Sequence, residues 1–158
     1  MAIQWALWLH IASVLVFLSA HGASVVVLYR IRRERDREKI LSFVTLSGQT
    51  SKPMYYALGA IVVSGSYLGW RLSSFRHWWI WTAIGILVLT TLLMVVVAKP
   101  YFNRVKMACA MRPSGIPRKS DEELIELLRT PHAHAITAIG VLGLAAILYL
   151  MVFQPGLI

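Results

Sequence analysis

The sequence predicts an all-α fold, an integral membrane bundle of four helices, and three observations carry that expectation. Of the 158 residues, 58% are hydrophobic and 15% charged, where a soluble domain keeps about 25% of its residues charged. The apolar residues form runs instead of alternating with polar ones. The basic residues, in turn, gather between those runs and not within them.

Four runs qualify as spans: residues 5–29, 54–70, 78–98 and 135–153. A helix needs about 20 apolar residues to cross roughly 30 Å of hydrocarbon. Helices are the expected form because backbone polar groups in lipid must be satisfied within each segment. The first run has no basic region before it and is too long for the core of a cleaved signal, so it reads as a retained span. The stretch RIRRERDREKI after it reads as a helical continuation, with opposite charges three or four residues apart. The second run is the shortest, and Ile40 to Val44 are apolar enough to extend its helix toward the interface. The third is led by HWWIWTA. Before the fourth, Ser120 and Glu123 make a capping box for a short amphipathic helix, SDEELIELLR. Its Leu124, Leu127 and Leu128 recur at helical spacing, and Pro131 ends it just before His132. The whole chain, 1–158, reads as one domain, with cytoplasmic loops at 30–53 and 99–134.

Charge placement sets the expected orientation. Of the 16 lysines and arginines, seven lie between Arg30 and Lys52 and seven between Lys99 and Arg129. Only Arg71 and Arg76 fall in the loop between spans two and three. The positive-inside rule then puts both strongly basic segments in the cytoplasm and both termini outside. The same rule, with attraction to anionic headgroups, accounts for the net charge of +9, and nucleic acid is not an expected partner. Cys109 is the single cysteine, so no internal disulfide can form.

The five histidines are the residues with most chemistry to offer. His10 lies about 8 Å down span one and His21 about 16 Å further. Eleven residues are close to three turns, so both share a helix face. His77 stands at the outer entry of span three, and His132 and His134 at the cytoplasmic entry of span four. Two pairs suggest themselves, His10 with His77 and His21 with His134 or His132. Bundles hold cofactors between side chains on facing helices, and haem iron takes a neutral imidazole nitrogen, so a b-type haem is the cofactor expected. His10 and His21 are the expected metal ligands. The competing reading has them hydrogen-bonding across helices to Ser13, Ser19, Ser24, Ser64 or Thr91. In MACAM, Met107, Cys109 and Met111 alternate as soft sulfur ligands suited to Cu(I), a weaker expectation than haem. No nucleophile elbow, phosphate loop or paired carboxylate is present, so no catalytic residue is expected beyond a haem redox site.

The stretch LHIASVLVFLSAHG resembles the first-span signature of a small four-span bacterial membrane family, catalogued as domain of unknown function 2269. RIRRERDREKI, HWWIWTA and LYLMVFQP extend the resemblance along most of the chain. That family is distantly similar to copper-resistance D-type membrane domains and to haem-binding protoporphyrinogen oxidases. Leu9-His10 matches the part of the signature whose histidine is a haem ligand in the oxidases, which implies His10 as an axial ligand. Phe17 stands where tryptophan is frequent, Ser19-Ala20 replaces a glycine pair, and the oxidases' proline-arginine element is absent. The expectation is a redox or electron-transfer accessory protein of the bacterial inner membrane. The alternatives are a cofactor-free subunit of a larger respiratory or photosynthetic complex and, less favoured, a copper-handling protein. Beside the lipid bilayer, the expected partners are other membrane subunits or a second copy, docked through the small-residue face of Gly65 and Gly69.

Overall fold

A computed structural model describes residues 1–155, whose regular structure is helical with no strand among them. Residues 156–158, part of the expected single domain, lie outside the described ones. Helix α1 runs Ala2–Arg33 and α2 Arg37–Arg71. A short 3₁₀ turn, Ser74–Arg76, leads into α3, Trp78–Leu93. A π turn, Met94–Ala98, joins α3 to α4, Lys99–Cys109. Two more helices follow, α5 at Asp121–Arg129 and α6 at His132–Phe153.

Three helical stretches are long enough, and contain a segment apolar enough, to cross a membrane: Ala2–Arg33, Trp78–Cys109 and Asp121–Phe153. Helix α2 is not among them. It is longer than any of the other helices, but its first half is polar.

RIRRERDREKI is not one continuous helix. The chain breaks between Arg33 and Arg37, because the side chains there offer the backbone a better arrangement than the helix. The Glu34 carboxylate accepts from the N–H groups of Arg35 (2.9 Å) and Asp36 (3.2 Å). Asp36 then caps α2, accepting from Glu38 (2.9 Å) and Lys39 (3.3 Å). An N-cap aspartate satisfies amides that the first turn leaves orphaned. Both carboxyls are held below their usual range, Glu34 chiefly by the Arg35 amide and Asp36 chiefly by the Lys39 amide. Apart from this break, the expected loop 30–53 is helical, forming the end of α1 and the first turns of α2.

The expected loop 99–134 is likewise shorter than its bounds, since α4 carries the third apolar helix on to Cys109. The π turn has a local cause. Pro100 has no N–H to donate and its ring crowds the carbonyl four residues back. The Lys99 amide reaches instead to the Met94 carbonyl, the i→i−5 bond of a π turn. The capping box forms as expected, with Glu123 N–H donating to Ser120 Oγ (3.2 Å) and Ser120 N–H to Glu123 Oε2 (3.0 Å). Leu124 and Leu128 of the α5 stripe face the bundle and are buried. Helix α6 begins at His132, directly after Pro131.

Helices α1 and α2 pack as an antiparallel pair, α3 and α6 as another, and α4 lies against α2. The larger core sits at the end of the bundle that carries the charged segments. Leu28 and Ile31 of α1, Ile40 of α2, Tyr101 and Val105 of α4 and Leu128 of α5 are its largest fully buried side chains. A smaller core, Trp79, Ile80, Ala83 and Leu150, closes α3 against α6 near the opposite, tryptophan-rich end. Two arginines fasten the charged end. Arg32 donates to the Thr130 carbonyl (2.8 Å). Arg37 donates to the carbonyls of Ala108 (2.7 Å) and Lys119 (2.9 Å) and pairs with Asp121 (2.5 Å).

Candidate histidine sites

His10 lies in the α1–α2 interface, with Nδ1 3.1 Å from Ser64 Oγ. The single Ser64 proton goes to the Ala60 carbonyl at 2.5 Å, so the serine oxygen accepts from His10 Nδ1–H. That fixes the tautomer and leaves the lone pair on Nε2. Gly65 makes room for the ring: a Cβ there would stand 3.0 Å from His10 Cε1. Ser64 itself is buried. A ring nitrogen donating to an oxygen while the other stays basic is the arrangement that metal-bound histidines show.

His21 faces another helix. A Cβ on Gly140 of α6 would fall 2.3 Å from His21 Nε2 and 2.8 Å from the Met94 methyl. The imidazole thus lies edge-on to the α6 backbone, with Phe17 parallel to it at 6.5 Å. Its Nε2 is fully buried and has no hydrogen-bond partner. Gly140 and Met94 close that face of the ring.

The inner pairs expected from the sequence do not meet at one height. His21 is level with Gly140, which is roughly 12 Å along α6 from His132 and 9 Å from His134. His132 instead stacks on the buried Tyr101, ring centroids 5.9 Å apart, and both His132 Nδ1 and the Tyr101 hydroxyl lack partners. His134 Nδ1 lies 3.3 Å from the Tyr29 hydroxyl. His77 is the residue before α3. Among the described residues, no hydrogen bond or ring contact joins it to His10.

The sulfur cluster separates as well. Cys109 is buried, whereas Met107 and Met111 are more than half exposed at 53% and 54%, so the three sulfurs do not share one face. Among the described residues, no group of three or more His, Cys, Asp or Glu side chains converges as metal ligands do.

The glycines expected to offer a docking face are used inside the chain. Gly65 receives His10, and a Cβ on Gly69 would stand 2.9 Å from Phe75 and 3.4 Å from Ile80. Two residues that sequence reasoning passed over, Met94 and Gly140, prove to be the neighbours of His21. The spacing of Gly140 and Gly143 in IGVLG was the available signal, and Gly143 likewise receives Thr90.

Fold and site together define an all-helical protein with three membrane-length apolar helices. One histidine is oriented by a serine, and a second is closed off by a glycine. No family model, curated protein or solved structure matches this chain.

Proposed function

We propose that the chain is a four-span membrane protein with both termini outside, a redox accessory protein that carries a b-type haem on His10. The observation that carries this reading is the His10–Ser64 hydrogen bond, which presents a neutral imidazole with Nε2 as the free base. The residues fit the group at this one position: His10 would ligate, Ser64 would hold the ring, and Gly65 would let it lie against α2. A bound haem would supply one-electron chemistry, its potential tuned by ligand and burial. His21 does not fit as its second ligand, because protein already covers Nε2.

Two observations support α2 as the fourth span. Ser24 meets Ser47 near one end of the α1–α2 pair, and His10 meets Ser64 near the other. A helix that accompanies α1 over that length crosses the same thickness. The charge asymmetry supports the orientation, and the resemblance of LHIASVLVFLSAHG supports kinship with the small bacterial inner-membrane family named above. In a Cys109→Ala background, Ser114→Cys is expected to react with an impermeant maleimide only from the cytoplasmic side. Ser73→Cys is expected to react only from outside. Reaction of Ser73→Cys from the cytoplasmic side would overturn the four-span topology, because Ser73 lies outside only if α2 crosses.

The haem is tested by a reduced-minus-oxidised visible spectrum of the purified protein. His10→Ala is expected to abolish the α-band and His21→Ala to keep it. Ser64→Ala is expected to weaken haem retention by about 10–100-fold, as loss of a ligand's orienting partner does. A flat spectrum from folded, haem-supplied protein would sink the redox reading. The second reading, a cofactor-free subunit of a larger membrane complex, is favoured by the closure of His21 and would then stand.

A further inference from the structure

We propose that the outward face of α2 around Lys52 docks a transmembrane helix of another protein, one that brings a carboxylate to the lysine. The inference rests on α2 crossing the membrane and not on haem.

Ser42, Thr45, Gln49, Lys52, Tyr56 and Gly59 recur at alternating steps of three and four, and all are exposed. That spacing draws a straight seam along one side of a helix, the side that a second helix covers in a left-handed pair. The seam lies opposite Ile40, Val44 and Ser47, which α2 buries against the rest of the chain.

Its depth sets the seam apart from an ordinary lipid-facing surface. Ser24 meets Ser47 and His10 meets Ser64, so Lys52, five residues past Ser47, comes level with Ala20. Ala20 is nine residues, about 14 Å, inside Tyr29, where the apolar run of α1 ends. On the far side of His21, Met94 touches the same Gly140, and it is five residues, about 8 Å, inside Lys99. By either measure Lys52 leaves α2 within the hydrocarbon. At that depth the third apolar helix exposes Leu92, Val95 and Val96. Pro53 adds a further polar group to the α2 face: lacking an N–H, it leaves the Gln49 carbonyl without the donor that a helix normally supplies.

Lysines near a helix end reach the headgroups by extending along it, but Lys52 stands near the middle of α2, Arg37–Arg71. Among the described residues it takes part in no hydrogen bond or ion pair. Intramembrane cations ordinarily pair with a carboxylate or a carbonyl inside a bundle. All seven acidic residues of the chain stand at 34–38 and 121–126, at the charged end, so a second copy brings no carboxylate to this depth. The complementary helix therefore belongs to a different chain. It would also meet the hydroxyl of Thr45, the amide of Gln49 and the close approach that Gly59 permits, the polar and small groups that hold membrane helices together.

The test is photo-crosslinking of the full chain in its own membranes, with Tyr56→benzoylphenylalanine on the seam and Leu89→benzoylphenylalanine on α3 as the control. Tyr56 is 80% exposed and Leu89 57%. Light is expected to join the Tyr56 position, and not the Leu89 position, to a different protein with an Asp or Glu in a span. Lys52→Met should cut that adduct by about tenfold. Lys52→Glu combined with the partner's carboxylate changed to lysine should restore it. Helix content by circular dichroism checks that each variant is folded. An adduct of twice the chain's mass would make the occupant a second copy, and adducts with lipid alone would leave the seam uncovered; either overturns the proposal. So would a protein adduct that is indifferent to Lys52→Met. The maleimide labelling of Ser73→Cys reads the crossing of α2 independently, so a failed topology and a failed docking face are told apart.

Discussion

Gly140→Ala is expected to destabilise the protein by about 1–3 kcal/mol, the usual cost of overpacking a tight contact, although alanine is the better helix former by up to ~1 kcal/mol. The new methyl would sit 2.3 Å from His21 Nε2 and 2.8 Å from the Met94 methyl. Met94 can swing its terminal group aside. His21 has less freedom, since its ring is parallel to Phe17 on the preceding turn of the same helix, so α1 and α6 must part. Thermal unfolding in detergent reads the effect. Gly22→Ala is the control: nothing lies within 4 Å of its Cβ position, and the change should be neutral or stabilising by about 0.5–1 kcal/mol. In a His21→Ala background the cost of Gly140→Ala should largely vanish, because residues in contact are energetically coupled. An undiminished cost in that background would mean that His21 is not what the new methyl meets.

Arg37→Ala is expected to cost about 2–4 kcal/mol and to release α5. A hydrogen bond to a charged group contributes roughly 1.5–3 kcal/mol, and this side chain, only 11% exposed, makes three. The carbonyls of Ala108 and Lys119 would both lose their donor, and α5 would lose its ion pair to α2. Lysine should rescue poorly, because a point charge cannot span both carbonyls and a carboxylate as a fork does. Limited trypsin digestion is the direct readout, with faster cleavage after Arg118 and Lys119 in the variant. Unchanged cleavage together with an unchanged unfolding temperature would show that α5 is held by Leu124 and Leu128 alone.

Local features of the structure were legible in the sequence wherever a short stretch decides them. Ser120 and Glu123 cap α5 as their spacing indicates, because a capping box needs nothing beyond four consecutive residues. Pro131 separates α5 from α6 for a similarly local reason. The break at Glu34–Asp36 was also local but was hidden by the mixed charges around it, which suit a helix surface as well as a cap. The π turn before Pro100 went unread, since a proline at a helix start ordinarily needs no adjustment behind it.

The candidate site was legible only in half. Sequence spacing picked out His10 and His21 as sharing a face of α1, and both do carry inter-helix contacts. Their partners came from elsewhere. Ser64 was one of five hydroxyl residues that could have met a histidine, and nothing in its local pattern distinguished it. Gly65 and Gly69 read as a surface for another chain, while in the fold they receive His10, Phe75 and Ile80.

The sequence by itself determined that this chain is helical, that three of its four expected spans fall on helices of membrane length, and how α5 is capped. Each depends on hydrophobicity and hydrogen bonding within a few turns of one segment. Only the tertiary structure decided that Ser64 sets the tautomer of His10, that Gly140 closes His21, and that Arg37 ties α2 to α4 and α5. Those contacts depend on which helix lies beside which and at what height. A difference of a few ångströms along a helix axis separates a histidine pair from two histidines that never meet, and that displacement leaves no mark on the pattern of either helix alone.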